Sequence, residues 1–142
     1  MTRPRRVAEL MTRDIVTLSE EDNLEGIADA MKRYSFRHVP VVDGDRLVGI
    51  VSDRDVLRLA MSPLLEPNAQ LDTEHGLEEQ TFVARIMTRD PITVGSDASL
   101  AEAAELMVVH KIDALPVVEG ERLVGIVTSE DVLRAAKEYF GP

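Results

Sequence analysis

The sequence contains no cysteine and no tryptophan, and aromatic residues make up only 4% of its 142 residues. Without cysteine the chain can form no disulfide bond, no thiol nucleophile and no thiolate metal site. Val, Leu, Ile, Ala and Met are plentiful. We therefore expect a core built from aliphatic side chains.

The sequence also lacks the basic stripe that a nucleic-acid-binding surface needs. It has 26 acidic and 16 basic residues and a formal net charge of −10, which opposes binding to a polyanion. Its basic cluster, Arg3, Arg5 and Arg6, is short and is more often solvated than functional. We expect no nucleic-acid partner.

Long apolar runs are missing as well. No run approaches the roughly 18 apolar residues of a membrane span, and no charged-then-apolar signal segment opens the chain. We expect a soluble, cytoplasmic protein with no membrane partner. The three histidines show no metal-ligand spacing, so we also expect no metal site.

What the sequence does contain is an internal repeat. A shift of 76 residues carries residues 7–60 onto residues 83–136 without a gap, and about half of the aligned positions are identical. The longest shared phrases are LVGIVSDRDVLR at 47–58 and LVGIVTSEDVLR at 123–134. We expect repeat 1 to span residues 1–60, a linker residues 61–82, and repeat 2 residues 83–142.

The second half of each repeat predicts a hairpin followed by a helix. In repeat 1, β-branched runs at 39–42 and 47–51 flank an acidic-Gly turn, which is typical of a β-hairpin. Ser52 and Asp55 then have the spacing of a helix N-terminal box. Repeat 2 has the same pattern, with Thr128 and Asp131 opening a helix that runs to about Tyr139.

The first half of each repeat predicts a short strand and an amphipathic helix. The strand candidates are residues 15–18 and 92–94, and the helices cover residues 23–34 and about 99–110. We expect a helical turn at 7–11 and another near 76–82. The repeats imply a layered α/β (α+β) arrangement in which two similar units stack about a pseudo-twofold axis and enclose a cleft on each side.

The repeated phrases resemble a known family. MTRDIVTL, FRHVPVVDGDRLVGIVSDRDVL, MTRDPITV and IDALPVVEGERLVGIVTSEDVL are similar to two consecutive CBS (cystathionine β-synthase) domains, the pair known as a Bateman module. The resemblance implies two β-α-β-β-α units. It also implies clefts for an adenosine-containing ligand such as AMP, ADP, ATP, NAD or S-adenosylmethionine. No attached enzyme, channel or transporter segment remains, so we expect a stand-alone pair that forms a homodimer and regulates an unidentified protein.

The resemblance also suggests which residues bind the ligand. In the family, the G-h-x-[ST]-x-x-D phrase contacts ribose, the residues after Met-Thr meet adenine, and those before Val-Pro-Val-Val meet phosphate. The stronger predicted site therefore combines Thr128, Asp131, Asp14, Ile15, Val16, Arg37 and His38. The weaker one combines Ser52, Asp55, Asp90, Pro91, Ile92 and Asp113.

The ranking of the two sites depends on one charge. Arg37 offers a cation to a phosphate, whereas Asp113, at the equivalent position, offers a carboxylate that repels it. Lys111, His110 or a metal ion such as Mg²⁺ would have to compensate in the weaker site. The ligand is regulatory, and we expect no catalytic cofactor.

Other interpretations remain open from the sequence. Ser52 with Asp55 and Thr128 with Asp131 are also good helix caps without any ligand. Gly49 and Gly125 permit a strand bend or a close backbone approach as well as making room for a ligand. The whole chain could be a ligand-independent interaction scaffold. A small nucleotide hydrolase is a weaker alternative, because the sequence has neither a phosphate-binding Gly-Lys loop nor a nucleophile-base pair.

Overall fold

The computed structural model describes residues 5–34, 37–65 and 82–142. The helices and strands in chain order are α1 (Val7–Leu10), α2 (Leu24–Tyr34), β1 (His38–Asp43), β2 (Arg46–Ser52), α3 (Asp53–Leu65), α4 (Val83–Ile86), β3 (Thr88–Arg89), β4 (Val94–Gly95), α5 (Leu100–His110), β5 (Ala114–Glu119), β6 (Arg122–Thr128) and α6 (Ser129–Phe140). The predicted mixed α+β fold is confirmed.

Both predicted hairpins are present. β1 pairs with β2 and β5 pairs with β6, each antiparallel. The turn glycines, Gly44 and Gly120, have φ angles of 66° and 64°. Residues that carry a side chain rarely adopt this backbone conformation. Each ladder shifts register at the same place, between Val41 and Val42 in the first hairpin and between their equivalents in the second.

The chain forms two compact units that do not follow the sequence repeats. The N-terminal unit consists of Val16–Asp90, and the C-terminal unit joins the chain up to Ile15 to Pro91–Pro142. Each hairpin therefore shares its unit with the opening segment of the other repeat. The predicted repeat boundaries stay predictions. The compact units do not test them, because each unit combines segments of both repeats.

In the N-terminal unit, two chain segments pair with the first hairpin. β3 pairs antiparallel with β2, and Leu18 makes an isolated parallel bridge to Val41. The backbone N–H of Val83, at the start of α4, donates to the carbonyl of Asp22 at 2.7 Å. The core of this unit is aliphatic, as predicted, with Ile27, Val39, Val41, Val51 and Val83 fully buried.

The C-terminal unit repeats this arrangement. β4 pairs parallel with β5, and Thr12 bonds to Ile126 through N–H to carbonyl contacts of 2.9 and 3.0 Å. The N–H of Val7 donates to the carbonyl of Ala98 at 2.9 Å. Its core is also aliphatic and includes Val7, Ala103, Leu115, Val117 and Val127.

Gly49 and Gly125 mark where an opening segment crosses the hairpin. A Cβ at Gly49 would lie 2.8 Å from the Met87 sulfur and 2.9 Å from the Thr88 carbonyl oxygen. At Gly125 the equivalent distances, to Met11 and Thr12, are also 2.8 and 2.9 Å. The sequence left several interpretations of Gly49 and Gly125 open. The structure shows the close backbone approach.

The predicted opening strands are mostly wrong. Within 15–18 only Leu18 pairs, as a single bridge, and the strand expected at 92–94 is instead Val94–Gly95. The chain passes from one compact unit to the other at Ile15–Val16 and again at Asp90–Pro91. Only the last residue of each predicted strand, Leu18 or Val94, pairs with a hairpin strand.

The last helix of repeat 1 extends into the segment predicted as the linker. Helix α3 continues to Leu65, so residues 61–65 are helical, and residues 66–81 lie outside the described residues. The helical turn expected near 76–82 lies outside them too, except for Phe82, which bridges Asn23. Among the helices of the described ranges, none combines the length and the apolar composition needed to cross a bilayer.

Candidate functional site

The helix N-terminal box of repeat 2 is formed as the sequence predicts. Thr128 is the N-cap of α6, and its hydroxyl oxygen accepts from the Asp131 N–H at 3.3 Å. In return, Asp131 Oδ2 accepts from the Thr128 N–H at 2.9 Å and from the Thr128 hydroxyl at 3.1 Å. This reciprocal capping satisfies backbone groups that the start of a helix leaves unpaired.

Repeat 1 has the same box. Asp55 Oδ2 accepts from the Ser52 N–H at 2.8 Å and from the Ser52 hydroxyl at 3.0 Å, and the Asp55 N–H donates to that hydroxyl at 3.3 Å. The two boxes therefore agree within 0.1 Å in every one of these distances. These residues therefore cap helices α3 and α6, as the sequence predicts.

Capping uses only one oxygen of each carboxylate. The other oxygen, Oδ1, faces an arginine one turn along the helix, with 4.0 Å between Asp131 and Arg134 and also between Asp55 and Arg58. The side chains of Asp131 and Asp55 are 14% and 15% exposed. A partly buried carboxylate with one oxygen this loosely held can accept hydrogen bonds from a ligand's hydroxyl groups.

The two arginines are residues that the sequence reasoning missed. Arg58 and Arg134 end the shared phrase DVLR, and each lies three residues after the box aspartate. Side chains three apart on a helix are neighbours, so this spacing, repeated in both copies, was the signal available. Both guanidinium groups are largely exposed, at 80% and 68%, and therefore hold the carboxylates only weakly.

The second residue before each Val-Pro-Val-Val or Leu-Pro-Val-Val phrase lies beside the box of its own repeat. The carbonyl of Arg37 accepts from the Asp53 N–H at 2.9 Å, and that of Asp113 accepts from the Ser129 N–H at 2.8 Å. His38 is paired with Ser52 across the hairpin. Within each unit, Arg37 and His38 thus adjoin the Ser52 box, and Asp113 adjoins the Thr128 box.

The segments predicted to meet adenine follow Thr12 and Thr88. Asp14 and Asp90 are exposed, Ile15, Val16 and Pro91 are half-buried, and Ile92 is 37% exposed. Asp14 and Ile15 belong to the unit that contains Thr128 and Asp131, and Asp90 to the unit that contains Ser52 and Asp55. The predicted groupings that combine residues of both units, and the ranking derived from Arg37 and Asp113, remain predictions.

The two adenine segments differ in backbone conformation. Asp90 has a φ angle of 47°, in the left-handed region, whereas Asp14 is not among the described non-glycine residues with positive φ. Asp90 is followed by Pro91, and the equivalent residue in repeat 1 is Ile15. Aspartate tolerates this conformation better than most residues.

Metal ligands are a separate question. In the part of the chain that the structure describes, no group of three or more His, Cys, Asp or Glu side chains could hold a metal ion.

Comparison with known proteins identifies the fold and its repeats. The family model for the CBS domain matches residues 7–62 and again residues 83–138. The chain belongs to the CBS-domain family. The two matches make it a tandem CBS pair, as the repeated phrases indicated.

Among curated proteins, the chain is similar to the inosine-5'-monophosphate dehydrogenase of Korarchaeum cryptofilum. The two are 37% identical over 137 residues, which cover 96% of this chain and 25% of the dehydrogenase. The CBS pair thus corresponds to only a quarter of that protein.

Two of the solved structures to which the chain is similar are complexes with adenosine-containing ligands. CBSX2 in complex with AMP has a TM-score of 0.77 and 27% identity, with 94% of this chain and 97% of that chain covered. The CBS domain pair of protein MJ0100, in complex with 5-methylthioadenosine and S-adenosyl-L-methionine, has a TM-score of 0.77 and 26% identity over 94% and 97% of the two chains.

Proposed function

We propose that this CBS pair is a regulatory module that binds an adenosine-containing ligand and thereby controls a partner protein. The observation that carries the proposal is the Asp131 carboxylate, partly buried at the start of α6 with one oxygen used by the cap and the other 4.0 Å from an exposed arginine. Such an oxygen suits two vicinal ribose hydroxyls. The AMP and S-adenosylmethionine complexes of similar CBS pairs support this ligand class.

The proposed roles follow the chemistry of each group. Asp131 accepts from the ribose, Asp14 and Ile15 meet the adenine, and the N-terminus of α6 favours a negatively charged group. Ser52, Asp55 and Asp90 are proposed to do the same in the second copy. Val16, Arg37 and His38 in the stronger site, and Pro91, Ile92 and Asp113 in the weaker one, complete the assignment as proposals from the family resemblance.

Regulation requires that the ligand prefer one arrangement of the module. A ligand that binds two arrangements with equal affinity does not change their relative populations. We propose that the module is a homodimer, as the resemblance to CBS pairs implies, and that its partner responds to the preferred arrangement.

A thermal-shift panel tests the ligand class. AMP, ADP, ATP, NAD and S-adenosylmethionine are compared with GTP and ribose 5-phosphate at concentrations well above the expected dissociation constants, since a ligand of the folded state raises the midpoint by mass action. We expect at least one adenosine ligand to raise the melting temperature and the two controls not to. Equal shifts from GTP would contradict the assignment.

One observation favours a second candidate, a ligand-independent interaction scaffold. Both box carboxylates cap their helices through Oδ2, and this explains why the sequence has them without any ligand. The same panel separates the two functions. A scaffold predicts no shift with any adenosine ligand.

A further inference from the structure

The turn of the first hairpin contains an aspartate followed directly by a glycine. Asp43 pairs with Arg46 at the end of the β1–β2 ladder, so Gly44 and Asp45 form a two-residue turn. The sequence has twelve aspartates, and only Asp43 precedes a glycine. An aspartyl-glycyl pair can rearrange without an enzyme, because the glycine nitrogen can attack the neighbouring side-chain carboxyl group and no side chain on the glycine obstructs the attack.

The attacking nitrogen, the backbone nitrogen of Gly44, is open in the folded chain. Gly44 is exposed, and nothing lies within 4 Å of the position that a Cβ would take. Within the part of the chain that the structure describes, no group accepts a hydrogen bond from the Gly44 N–H. An N–H that is already bonded has to lose that bond before its nitrogen can react. The Gly44 nitrogen has no such bond to lose.

The side chain under attack, that of Asp43, is held only loosely. It is 75% exposed and lies 4.0 Å from Arg46, whose side chain is 53% exposed. Exposed ion pairs of this kind contribute little. Asp43 and Arg46 also form the last pair of the ladder, where local opening costs less free energy than in the core strands. The Asp43 carboxyl group can therefore turn toward the Gly44 nitrogen without the unfolding of β1.

The equivalent turn of repeat 2 has the same backbone but a different side chain. Glu119 pairs with Arg122, and Gly120 has a φ angle of 64° with nothing within 4 Å of a Cβ. Attack on Glu119 would close a six-membered ring, which forms much more slowly than the five-membered ring that aspartate gives. Glu119 Oε1 also accepts from the Ser96 hydroxyl at 3.0 Å. The turn of repeat 2 therefore resists the reaction that the turn of repeat 1 permits.

We propose that Asp43 and Gly44 form a site of spontaneous backbone modification, at which Asp43 converts to isoaspartate through a cyclic imide. First, the Gly44 nitrogen bonds to Cγ of the protonated Asp43 carboxyl group. The Cγ–OH bond breaks, and the hydroxyl leaves with the N–H proton as water. Water then adds to one of the two imide carbonyls. Opening at Cγ restores aspartate, whereas opening at the Asp43 backbone carbonyl gives isoaspartate, with the chain running through Cγ. The two steps need no oxidant or reductant.

The modification changes the turn and not its charge. Isoaspartate adds one carbon atom to the backbone and keeps one carboxylate. Because loop length and turn type fix the register of a hairpin, the added atom displaces the pairing of Asp43 with Arg46. The site is separate from the two helix N-terminal boxes and does not depend on adenosine binding.

Ageing of the whole chain at neutral pH in water enriched in oxygen-18 tests the proposal. After digestion, electron-transfer fragmentation in a mass spectrometer distinguishes isoaspartate from aspartate at each position. We expect isoaspartate to accumulate at Asp43 at least tenfold faster than at any other aspartate, and to carry the heavy isotope because water opens the imide. A smaller difference in rate, or isoaspartate without the isotope, would overturn the proposal.

A short peptide measures the effect of the fold. The capped peptide has the sequence of residues 41–46, Val-Val-Asp-Gly-Asp-Arg, and ages beside the whole chain under the same conditions. We expect Asp43 in the folded chain to isomerise at a rate within tenfold of the peptide. Stronger protection by the fold would contradict the conclusion that the turn is open to attack.

Two variants exchange the side chains of the two turns. Asp43→Glu reproduces the pair found at Glu119 and Gly120 and keeps the charge, so we expect the labelled product at position 43 to fall at least tenfold. Glu119→Asp places an aspartyl-glycyl pair in the other turn and should produce labelled isoaspartate at position 119. Circular dichroism checks that both variants fold. A smaller fall in Asp43→Glu, or an unmodified position 119 in Glu119→Asp, would contradict the role of side-chain length.

Discussion

The carbonyl oxygen of Thr12 lies 2.9 Å from the point where a Cβ on Gly125 would stand, so the opening segment of the chain packs directly on the middle of β6. Gly125→Ala would force this backbone or the Met11 side chain to move. We expect the free energy of unfolding to fall by about 1–3 kcal/mol, the usual cost of overpacking a well-packed site. Urea denaturation monitored by circular dichroism measures it.

Gly95→Ala is the matched control for that variant. Nothing lies within 4 Å of a Cβ at Gly95, and its φ angle is outside the left-handed region. The substitution should change the free energy of unfolding by less than about 1 kcal/mol, or raise it slightly, because alanine restricts the unfolded chain. If Gly95→Ala and Gly125→Ala are equally destabilising, the close approach is not the cause.

Thr128 should contribute to stability as the cap of α6. Thr128→Ala removes the acceptor for the Asp131 N–H and a donor to the Asp131 carboxylate, and we expect a loss of about 0.5–2 kcal/mol in the free energy of unfolding. Thr128→Ser should restore most of it, because Ser52 makes the same bonds in the other repeat. A serine variant as unstable as the alanine variant would contradict the capping role.

The Ser96–Glu119 hydrogen bond should stabilise the C-terminal unit. Ser96→Ala removes a bond of 3.0 Å from a buried hydroxyl, and we expect a cost of about 0.5–1.5 kcal/mol in chemical denaturation. Glu20→Ala, at the equivalent position, loses only an exposed ion pair and should cost less than about 1 kcal/mol. The opposite order would contradict a stabilising role for the Ser96–Glu119 bond.

The proposed homodimer has a direct measurement. Size-exclusion chromatography with multi-angle light scattering should give about twice the 15.7 kDa mass of the chain. A monomer mass over the accessible concentration range would contradict the dimer.

Local patterns predicted much of this fold. Gly44 and Gly120 placed the hairpin turns, and the spacing of Ser52 with Asp55 and of Thr128 with Asp131 placed the helix starts, because each depends on side chains within a few residues. The exchange of opening segments was not predicted. β3 has two residues, Thr88 and Arg89, too few for a periodic signal, and its partner Gly49 is distant in the sequence.

The sequence also predicted part of the candidate site, namely the two helix N-terminal boxes. The repeated phrase identified both boxes, and the structure shows their bonds in matching geometry.

Titration calorimetry of the wild type and of Asp131→Asn with AMP and ATP tests the central claim most directly. Asparagine keeps an oxygen that can accept the capping bonds, so α6 should stay capped, while the second carboxylate oxygen is replaced by an NH₂ group that cannot accept from a ribose hydroxyl. We predict that the wild type binds at least one of the two nucleotides and that Asp131→Asn weakens this binding at least tenfold, with a smaller effect from the matched Asp55→Asn. Unchanged affinity in both variants would contradict the account.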